Sequence, residues 1–427
     1  MTGLALGIDV GTSGVRIAAL DEKGAVGSTA SVAMPEPQRS GSQIMQDPGI
    51  WWGAVREGLG RIARGIDGKV VKAIAVDGTS GTILAVDGAG EPLALGRMYN
   101  DSSAADEARL IANVAPATTA AHGASSPLGK ALMLQKIPGV VRILHQADWI
   151  LGRLSGRFDI SDENNALKTG YDPMTRRWPD WIGNTGMMRH LLPDVLPVGT
   201  SVARISGDLA EEFGLNRRAA IVTGTTDGCA AFLATGAESP GDGVTSLGST
   251  LTIKLLTGAP IFAPQYGIYS HRIGEMWLAG GASNSGGAVL LSFFSKERLQ
   301  ELESQLEPER PTGLDYYPLA TPGERFPYSD PKLAPRVTPR PADDRLFLQG
   351  LLEGIANIEA VGYRRLAELG ATPLASLRTV GGGASNAAWS KIRRARLAVP
   401  FVAAAAQEAA AGAARLAWRG IGVEVGR

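Results

Sequence analysis

Short apolar runs and glycine-rich turns alternate along the chain. The runs Leu4–Val10 and Val15–Asp21 have the continuous apolar character of buried strands, with a short turn between them. Residues 50–66 follow a helical period that places five apolar side chains on one face: Trp52, Val55, Leu59, Ile62 and Ile66. Further strands are indicated at residues 70–76 and 82–86. Strands that alternate with amphipathic helices predict an α/β fold.

The opening pattern recurs in the second half of the chain. A strand ending at Leu247 leads through the turn Gly248-Ser249-Thr250 into another strand. This repetition of strand, turn and strand indicates two related domains, and a chance pair of glycine-rich hairpins is the alternative. Turn residues cluster at residues 237–241. We therefore predict an N-terminal domain of residues 1–237 and a C-terminal domain of residues 238–427.

Two segments of biased composition lie in the second half. Residues 307–344 are rich in proline and charge, but four aromatic side chains supply apolar surface that the segment can bury: Tyr316, Tyr317, Phe326 and Tyr328. We expect an ordered surface excursion there. The alanine-rich residues 403–418 predict a helix that packs inside the second domain.

The composition excludes several classes of function. Forty-two basic residues balance forty-two acidic ones, so no net field would draw the protein to nucleic acid or to an anionic membrane. The 427 residues are enough for two domains. A single cysteine, Cys229, excludes an intramolecular disulfide, and four scattered histidines do not form a zinc motif. Magnesium stays open, because it needs only one or two carboxylates besides phosphate oxygens.

The N-terminal residues carry no targeting signal, since Met1-Thr2-Gly3 leads directly into the first strand. The longest small-apolar region, residues 397–406, contains Pro400 and is too short to cross a bilayer. These features predict a soluble cytoplasmic protein with no membrane partner.

Asp9 ends a buried strand and precedes a turn that contains Gly11 and Gly14. Glycines let backbone N–H groups approach an anion closely, so this turn fits a phosphate. The alternative is that Asp9 only hydrogen-bonds its own turn, as aspartates often do. The similar turn at Gly248-Ser249-Thr250 favours the first interpretation, because two such loops in facing domains could hold one triphosphate from both sides.

Asp227 follows a segment rich in glycine and threonine and precedes a helical pattern at residues 229–235. This is the position of an N-cap, and capping is the simpler local interpretation. A functional role would need the carboxylate at the mouth of a cleft, where it could accept the proton of a substrate hydroxyl. A charged residue at a helix start can serve both purposes.

Three consecutive glycines, Gly381 to Gly383, lie between a predicted strand and a helix that begins near Ala387. A flat base could lie on such a surface, and Asn386 could bond an adenine edge or the ribose. Alternatively, the run is a helix entry turn with Asn386 as its cap. The related run at residues 280–284 favours a glycine-lined nucleotide pocket.

Three other motifs are incomplete. Residues 123–131 (GASSPLGKA) have one residue too many between their glycines for a Walker A loop, and Ala131 replaces the magnesium-binding hydroxyl. No G-x-G-x-x-G occurs, which disfavours a dinucleotide fold. Neither GASN run completes the G-x-S-x-G elbow of serine hydrolases.

Five blocks, taken together, carry a resemblance to a known family. They are residues 9–14 (DVGTSG), 77–82 (DGTSGT), 225–228 (TTDG), 246–250 (SLGST) and 381–386 (GGGASN). In this order they resemble the FGGY carbohydrate kinases over essentially the whole chain. The resemblance implies an α/β protein with two actin-like ATPase (ribonuclease H-like) domains that flank an interdomain cleft.

Within that family, the chain is most similar to the D-ribulose kinases of cyanobacteria and plant chloroplasts. The similarity is carried by residues 74–82, 165–171 and 313–319. Typical xylulokinases have a Met-His pair where this chain has Thr79-Ser80, and a Trp-Asp-Arg block where it has residues 98–102 (MYNDS). These departures argue against D-xylulose as the best substrate.

The resemblance also implies roles for individual residues. In the N-terminal, sugar-binding domain, Asp227 would be the catalytic base and would contact the sugar, and Asp9 would hold both the magnesium and the sugar side of the cleft. Ser80 would bond the sugar, and Thr12 would contact the transferred phosphate. In the C-terminal, nucleotide-binding domain, the implied residues are Gly248 and Ser249 for phosphate, and Gly382, Gly383 and Asn386 for adenosine.

The implied activity is the transfer of phosphate from ATP, with Mg²⁺, to a ketopentose, converting D-ribulose to D-ribulose 5-phosphate. The partners would be a small-molecule sugar and ATP, without nucleic acid or membrane, and the sequence does not indicate an oligomeric state. The alternatives are a kinase acting on L-ribulose, D-xylulose, a tetrulose or glycerol, or a non-kinase actin-like ATPase or regulatory module.

Overall fold

The computed structural model describes residues 3–425. Met1 and Thr2, on which the prediction of no targeting signal partly rests, lie outside the described residues, as do the last two residues of the predicted C-terminal domain. Within the described residues the chain forms two compact units. Unit 1 comprises Met1–Gly236, His271–Gly274 and Ala405–Arg427, and unit 2 comprises Ala237–Ser270 and Glu275–Ala404. Over residues 3–425, no helix has both the length and the apolar character that crossing a membrane requires.

The regular elements alternate as an α/β fold requires. In chain order, the strands are β1 (Leu4–Val10), β2 (Gly14–Asp21), β3 (Val26–Ala33), β4 (Gln38–Ser40), β5 (Gln43–Gln46), β6 (Val71–Gly78), β7 (Ile83–Val86), β8 (Gly96–Arg97), β9 (Arg142–His145), β10 (Ile160–Asp162), β11 (Asp194–Leu196), β12 (Ser201–Arg204), β13 (Ala220–Thr226), β14 (Asp242–Leu247), β15 (Leu251–Thr257), β16 (Phe262–Ala263), β17 (Ile268–Tyr269), β18 (His271–Ile273), β19 (Met276–Ser283) and β20 (Ser376–Val380). The helices are α1 (Pro48–Ala63), α2 (Ala105–Val114), α3 (Pro127–Leu134), α4 (Gln146–Ser155), α5 (Glu163–Leu167), α6 (Trp181–Asn184), α7 (Gly207–Glu212), α8 (Asp227–Ala234), α9 (Gly287–Leu291), α10 (Lys296–Glu303), α11 (Asp344–Glu368), α12 (Ala387–Leu397) and α13 (Ala409–Arg419).

The main sheet of unit 1 has the strand order β12-β13-β6-β1-β2-β3. The three central strands β1, β6 and β13 run parallel, while β2 returns antiparallel to β1. In the register of β1 and β6, Asp9 lies opposite Asp77, and in that of β6 and β13, Thr226 lies opposite Gly78. The carboxyl ends of these three strands therefore meet at one edge of the sheet.

Unit 2 repeats this arrangement with fewer strands, in the order β19-β15-β14-β20. Strand β15 returns antiparallel to β14, as β2 does to β1, and β20 runs parallel to β14, as β6 does to β1. The hairpin turn again consists of small residues, here 248–250. The structure thus confirms the predicted internal repeat of strand, turn and strand.

Helix α13 belongs to unit 1, and the prediction that it packs inside the second domain is wrong. It also begins at Ala409 rather than at residue 403. Glycines allow backbone to meet backbone here: a Cβ at Gly7 would overlap the Ala410 carbonyl oxygen, and a Cβ at Gly412 would overlap that of Ala230. The small side chains predicted for close packing therefore serve α13 against β1 and α8. The contiguous domain ranges predicted from the sequence leave out this return of the chain to unit 1.

Helix α1 packs on the sheet of unit 1, but the side chains that it buries differ slightly from those predicted. Asp47 caps the helix, with Pro48 in its first turn. Trp51 is fully buried and its Nε1 donates to Gln46 Oε1 at 2.7 Å, whereas Trp52 is only half-buried. The indole of Trp51 finds a polar partner inside the core, which explains why it takes the buried position.

The proline-rich segment of unit 2 is ordered mainly by its aromatic residues. Tyr316, Tyr317 and Phe326 are buried, while Tyr328 is 40% exposed. The Tyr317 hydroxyl donates to the buried carboxylate of Glu324 at 2.8 Å. The expectation that the segment has its own buried contacts is confirmed for three of the four aromatic residues.

Candidate active site

Three aspartates come together at the carboxyl edge of the unit 1 sheet. Asp9 lies near the end of β1, Asp77 near the end of β6, and Asp227 directly after β13. Because the three strands are parallel and adjacent, their ends deliver these side chains to one place. Besides burial, the charge of Asp227 raises the pKa of both Asp9 and Asp77, and the charge of Asp9 raises the pKa of Asp77. Such clustering of acids at a sheet edge is typical of a ligand site in α/β proteins.

A cavity of about 610 Å³ opens beside these aspartates, and every residue that lines it belongs to unit 1. Four of the residues implied by the sequence line it together, namely Asp9, Thr12, Ser80 and Asp227. The other lining residues are Gly11, Arg16, Thr79, Tyr99, Lys168, Gly228, Ala231, Glu408 and Ala409. The structure thus brings the unit 1 candidates to one concave surface large enough for a small sugar.

Asp9 is almost completely buried at the floor of this cavity, with 6% of its surface exposed. The turn after it is closed by a hydrogen bond from Gly11 N to Gly14 O at 3.0 Å, and Asp9 is not part of that bond. Instead Arg16 Nη1 approaches Asp9 Oδ2 at 3.5 Å. Burial, reinforced by the Asp227 charge, raises the pKa of Asp9 to about 6 in spite of Arg16.

Asp77 is fully buried beside Asp9. No donor reaches either of its side-chain oxygens, and the Asp9 carboxyl group lies next to it. Burial, with the charges of Asp9 and Asp227, raises the pKa of Asp77 well above its usual range. A proton held by Asp77 would let it donate a hydrogen bond to Asp9.

Asp227 is the first residue of α8 and not its N-cap, as the local sequence pattern suggests. The N-cap is Thr226, and the Asp227 Oδ1 accepts from the adjacent Gly228 N at 2.6 Å. An N-cap side chain would instead accept from the second or third N–H of the helix. The carboxylate is half-buried and lines the cavity, so the capping interpretation is wrong and the helix start holds the side chain at the site.

Four charged or aromatic residues of the cavity were not identified from the sequence: Arg16, Tyr99, Lys168 and Glu408. Arg16 bridges Asp9 and Glu408, with its Nε 3.4 Å from the Glu408 Oε2. The signal for Arg16 was available, because a lone cation interrupts the apolar strand β2 and lies opposite Asp9 in the β1–β2 register. Lys168 follows α5 and Tyr99 follows β8. Both lie in loops, and the local sequence of a loop does not indicate which part of the tertiary structure the loop contacts.

The nucleotide candidates of unit 2 form a second group. The parallel register pairs Ser246 with Val380, so the turn after β14 and the glycine run after β20 leave the sheet at the same edge. Gly248 and Ser249 are further tied to the start of α9, since their carbonyl oxygens accept from Gly287 N and Ala288 N. The structure therefore places Gly248 and Ser249 beside the glycine run within unit 2.

The glycines of that run have different reasons to be glycine. Gly381 has a φ of +86°, and a Cβ there would lie 2.9 Å from the Leu247 carbonyl oxygen. A Cβ at Gly383 would lie 2.6 Å from the Trp389 ring. At Gly382, which is exposed, nothing lies within 4 Å of the added carbon. Packing and backbone conformation therefore explain why positions 381 and 383 are glycine, whereas no contact within the protein requires glycine at position 382.

Asn386 is the N-cap of α12, and its side chain accepts from Trp389 N at 2.8 Å. The capping interpretation is therefore confirmed for this residue. The second GASN run, at residues 280–284, does not supply a glycine-lined surface, because Gly280 and Gly281 lie within β19 and pack against Ile253 and Phe326. Packing accounts for these two glycines, so this run gives the nucleotide assignment no separate support.

Two family models match the chain. They are the N-terminal domain of the FGGY family of carbohydrate kinases, over residues 4–125, and the C-terminal domain of that family, over residues 243–421. The chain belongs to the FGGY family of carbohydrate kinases. It is accordingly an ATP-dependent sugar kinase, and the alternative of a non-kinase module is not favoured.

Individual relatives of this FGGY kinase are distant but extend over most of the chain. It is 21% identical to the xylulose kinase of Staphylococcus epidermidis, over 91% of this chain and 82% of the relative. It is 23% identical to the gluconokinase of Bacillus subtilis, over 83% and 68%. The ligand-bound xylulose kinase from Lactobacillus acidophilus matches with a TM-score of 0.85 and 19% identity, over 99% of this chain and 90% of that one. These matches confirm the two-domain fold, whereas the similarity to D-ribulose kinases stays a prediction.

Proposed function

We propose that this FGGY kinase transfers the γ-phosphate of ATP to the C5 hydroxyl of a ketopentose, and that D-ribulose is the preferred acceptor. The observation that carries the proposal is the shared cavity of Asp9, Thr12, Ser80 and Asp227 in unit 1. The preference for D-ribulose rests on the sequence, which has Thr79-Ser80 and residues 98–102 in place of the xylulokinase blocks. Both segments contribute to this cavity, through Ser80 and Tyr99.

Asp227 is proposed as the general base. Its carboxylate accepts the proton of the C5 hydroxyl while the oxygen bonds to the γ-phosphorus and the bond from that phosphorus to ADP breaks. The Asp227 side chain is suited to this role because it is half-buried in the cavity and anchored to Gly228 N. Ser80 would orient the sugar by a hydrogen bond, and Thr12 would contact the transferred phosphate. The loose, charged transition state requires alignment and neutralisation more than covalent chemistry.

Magnesium fits the carboxylates at the floor of the cavity. Asp9 and Asp227 repel each other enough to raise the pKa of Asp9, and a divalent cation would relieve that repulsion. Within residues 3–425, no three acidic, histidine or cysteine side chains are placed so that they could hold a metal ion together, but magnesium takes only one or two carboxylates besides water and phosphate oxygens. Asp9 would hold the ion, which when bound neutralises the phosphate oxygens.

The second group of candidates is proposed to bind the nucleotide. Gly248 and Ser249 would receive the phosphates, and the segment from Gly382 to Asn386 would receive adenosine. The best support is Gly382, which is exposed and has open space where a side chain would be. A ligand that lies flat on this position would explain the missing side chain.

A pair of glycine substitutions tests the adenosine assignment. Gly382→Ala should leave the melting temperature nearly unchanged, because its Cβ meets nothing within 4 Å, and should raise the KM for ATP about tenfold by displacing the base. Gly383→Ala is the matched control, since its Cβ would press on Trp389 and Leu247; it should lower the melting temperature, with an overpacking cost of about 1–3 kcal/mol. An unchanged KM for ATP in Gly382→Ala would contradict the assignment.

A panel of acceptors tests the proposed substrate. D-ribulose, L-ribulose, D-xylulose, a tetrulose, glycerol and gluconate are each supplied with ATP and Mg²⁺, and ADP and the phosphorylated product are both quantified. We expect the highest kcat/KM for D-ribulose, with one sugar phosphate formed per ADP. A higher value for another acceptor would refute the preference for D-ribulose while keeping the kinase activity. ADP formation without any phosphorylated acceptor would refute the proposed reaction itself.

A further inference from the structure

Lys130 is a fully buried lysine of unit 1, and the proposed reaction gives it no role. It belongs to α3 and to the segment that resembles a Walker A loop without completing one. Its Nζ donates to the carbonyl oxygen of Gly81 at 2.7 Å and to that of Met98 at 2.9 Å. The lysine therefore contacts no phosphate loop and instead joins two backbone segments 17 residues apart in the chain.

Both of those segments carry residues of the cavity. Gly81 follows directly on Ser80, and Met98 directly precedes Tyr99; Ser80 and Tyr99 line the cavity. The ammonium group lies between the two loops and behind the lined surface, since Lys130 is not itself a lining residue. One side chain thus contacts the backbone directly after Ser80 and directly before Tyr99.

A chain of hydrogen bonds joins the same two loops a second time. Tyr99 N donates to Thr82 Oγ1 at 3.0 Å, and the hydroxyls of Thr82 and Thr79 lie 2.6 Å apart. Thr79 Oγ1 in turn donates to Gln146 Oε1 at 2.9 Å. All the groups after Tyr99 are buried. The two loops are therefore linked to each other, Gln146 contacts the first loop from outside, and Lys130 contacts the backbone of both loops.

The cost of burying this lysine indicates that its contacts matter. Desolvation lowers the pKa of Lys130 to about 7, against the attraction of Asp101. A neutral amine has two N–H donors, which match the two carbonyl acceptors. A methionine would fill a similar volume with no charged group to desolvate, so packing alone does not account for a lysine.

We propose that Lys130 is a positioning residue for the sugar: it holds the Ser80 loop and the Tyr99 loop at the spacing that binds the acceptor, without touching sugar or ATP. The proposal deepens the proposed function and rests on it, because the acceptor side of the cavity is assigned through Ser80. Without the lysine, Gly81 O loses its buried donor, Met98 O keeps only the bond from Asp101 N, and the loops move apart.

The test compares Lys130→Met with Lys130→Gln, which keeps two N–H donors on a shorter side chain. In Lys130→Met the KM for the preferred sugar should rise about tenfold or more, as expected when buried hydrogen bonds lose their donor, with the KM for ATP unchanged and kcat within about threefold. Lys130→Gln should recover part of the sugar affinity. Arg142→Met is the matched control, because Arg142 also donates to two carbonyls, those of Val141 and His190, which lie outside the cavity; its KM values should not change.

Amide hydrogen exchange of the free enzymes supplies a second readout that needs no substrate. Lys130→Met should speed exchange at residues 79–82 and 98–101 and leave the turn at residues 11–14 protected as in the wild type. Exchange that rises equally throughout unit 1, or KM values for sugar and ATP that rise together, would show a purely structural lysine and overturn the proposal. If wild-type enzyme phosphorylates no sugar, the proposed function fails, and the exchange pattern alone then decides whether Lys130 couples the two loops.

Discussion

Asp227→Ala is expected to lower kcat by a factor of about 10²–10⁴, the usual contribution of a positioned general base. The carboxylate is the half-buried acid that α8 presents to the cavity, and alanine removes the proton acceptor while leaving the helix start in place. ATP binding should stay within about twofold of wild type, because the proposed adenosine site belongs to unit 2. Steady-state kinetics with the best sugar, together with calorimetric titration of ATP, measures both quantities.

Two controls separate this chemistry from a structural effect. Asp208→Ala removes another acidic residue from the first turn of a helix, α7, at an exposed position away from the cavity. It should lose stability slightly and keep kcat. If Asp227→Ala loses ATP affinity in the same proportion as kcat, or melts far below Asp208→Ala, then Asp227 supports the fold and is not the base.

Asp9→Asn is expected to stabilise the free protein at neutral and alkaline pH. The folded state raises the pKa of Asp9 from 3.8 to about 6. A raised carboxyl pKa means that stability is fully present below pH 3.8 and is lost as the pH rises through about 6. The corresponding cost above that range is roughly 3 kcal/mol for Asp9 alone. Asparagine has no charge to bury, so the stability gap between variant and wild type should widen from pH 5 to pH 8 in urea unfolding.

Binding of Mg²⁺ with ATP should make the wild type more stable than Asp9→Asn. If Asp9 holds magnesium, then Mg²⁺ with ATP raises the melting temperature of the wild type and has little effect on that of Asp9→Asn. Asp180→Asn is the matched control, an exposed aspartate before α6 that makes no capping bond; its pH dependence should follow the wild type. If the difference in the free energy of unfolding between Asp9→Asn and wild type does not change with pH, the raised pKa of the buried Asp9 is contradicted.

The hairpins and the residues at their ends could be predicted from the sequence because the signals are local. The runs at residues 4–10 and 251–256 are apolar and end in turns of small residues, and such patterns predict strand and turn without tertiary information. The cavity group of Asp9, Thr12, Ser80 and Asp227 follows from the family's motifs. Strand order then explains why residues far apart in sequence share one edge.

The residues that sequence analysis missed depend on contacts between distant segments. Asp77 was seen only as part of a motif, because its position beside Asp9 follows from the register of two strands far apart in the sequence. Lys130 shows no periodicity or spacing that distinguishes a buried donor from a surface charge. Helix α13 was assigned to the wrong unit for the same reason. An alanine-rich helix can pack on any surface that allows a close approach, and here the glycines on the facing segments, such as Gly7, provide that surface.

The return of α13 to unit 1 affects how this protein is made. Strand β1 emerges from the ribosome first, but the helix that covers it is translated only after the whole of unit 2. Domains generally fold as units in the order of synthesis, yet here the first unit stays open at Gly7 and Ala230 until residues 409–419 arrive. The second unit is therefore the first whose residues are all synthesised, while unit 1 still lacks the helix that covers β1.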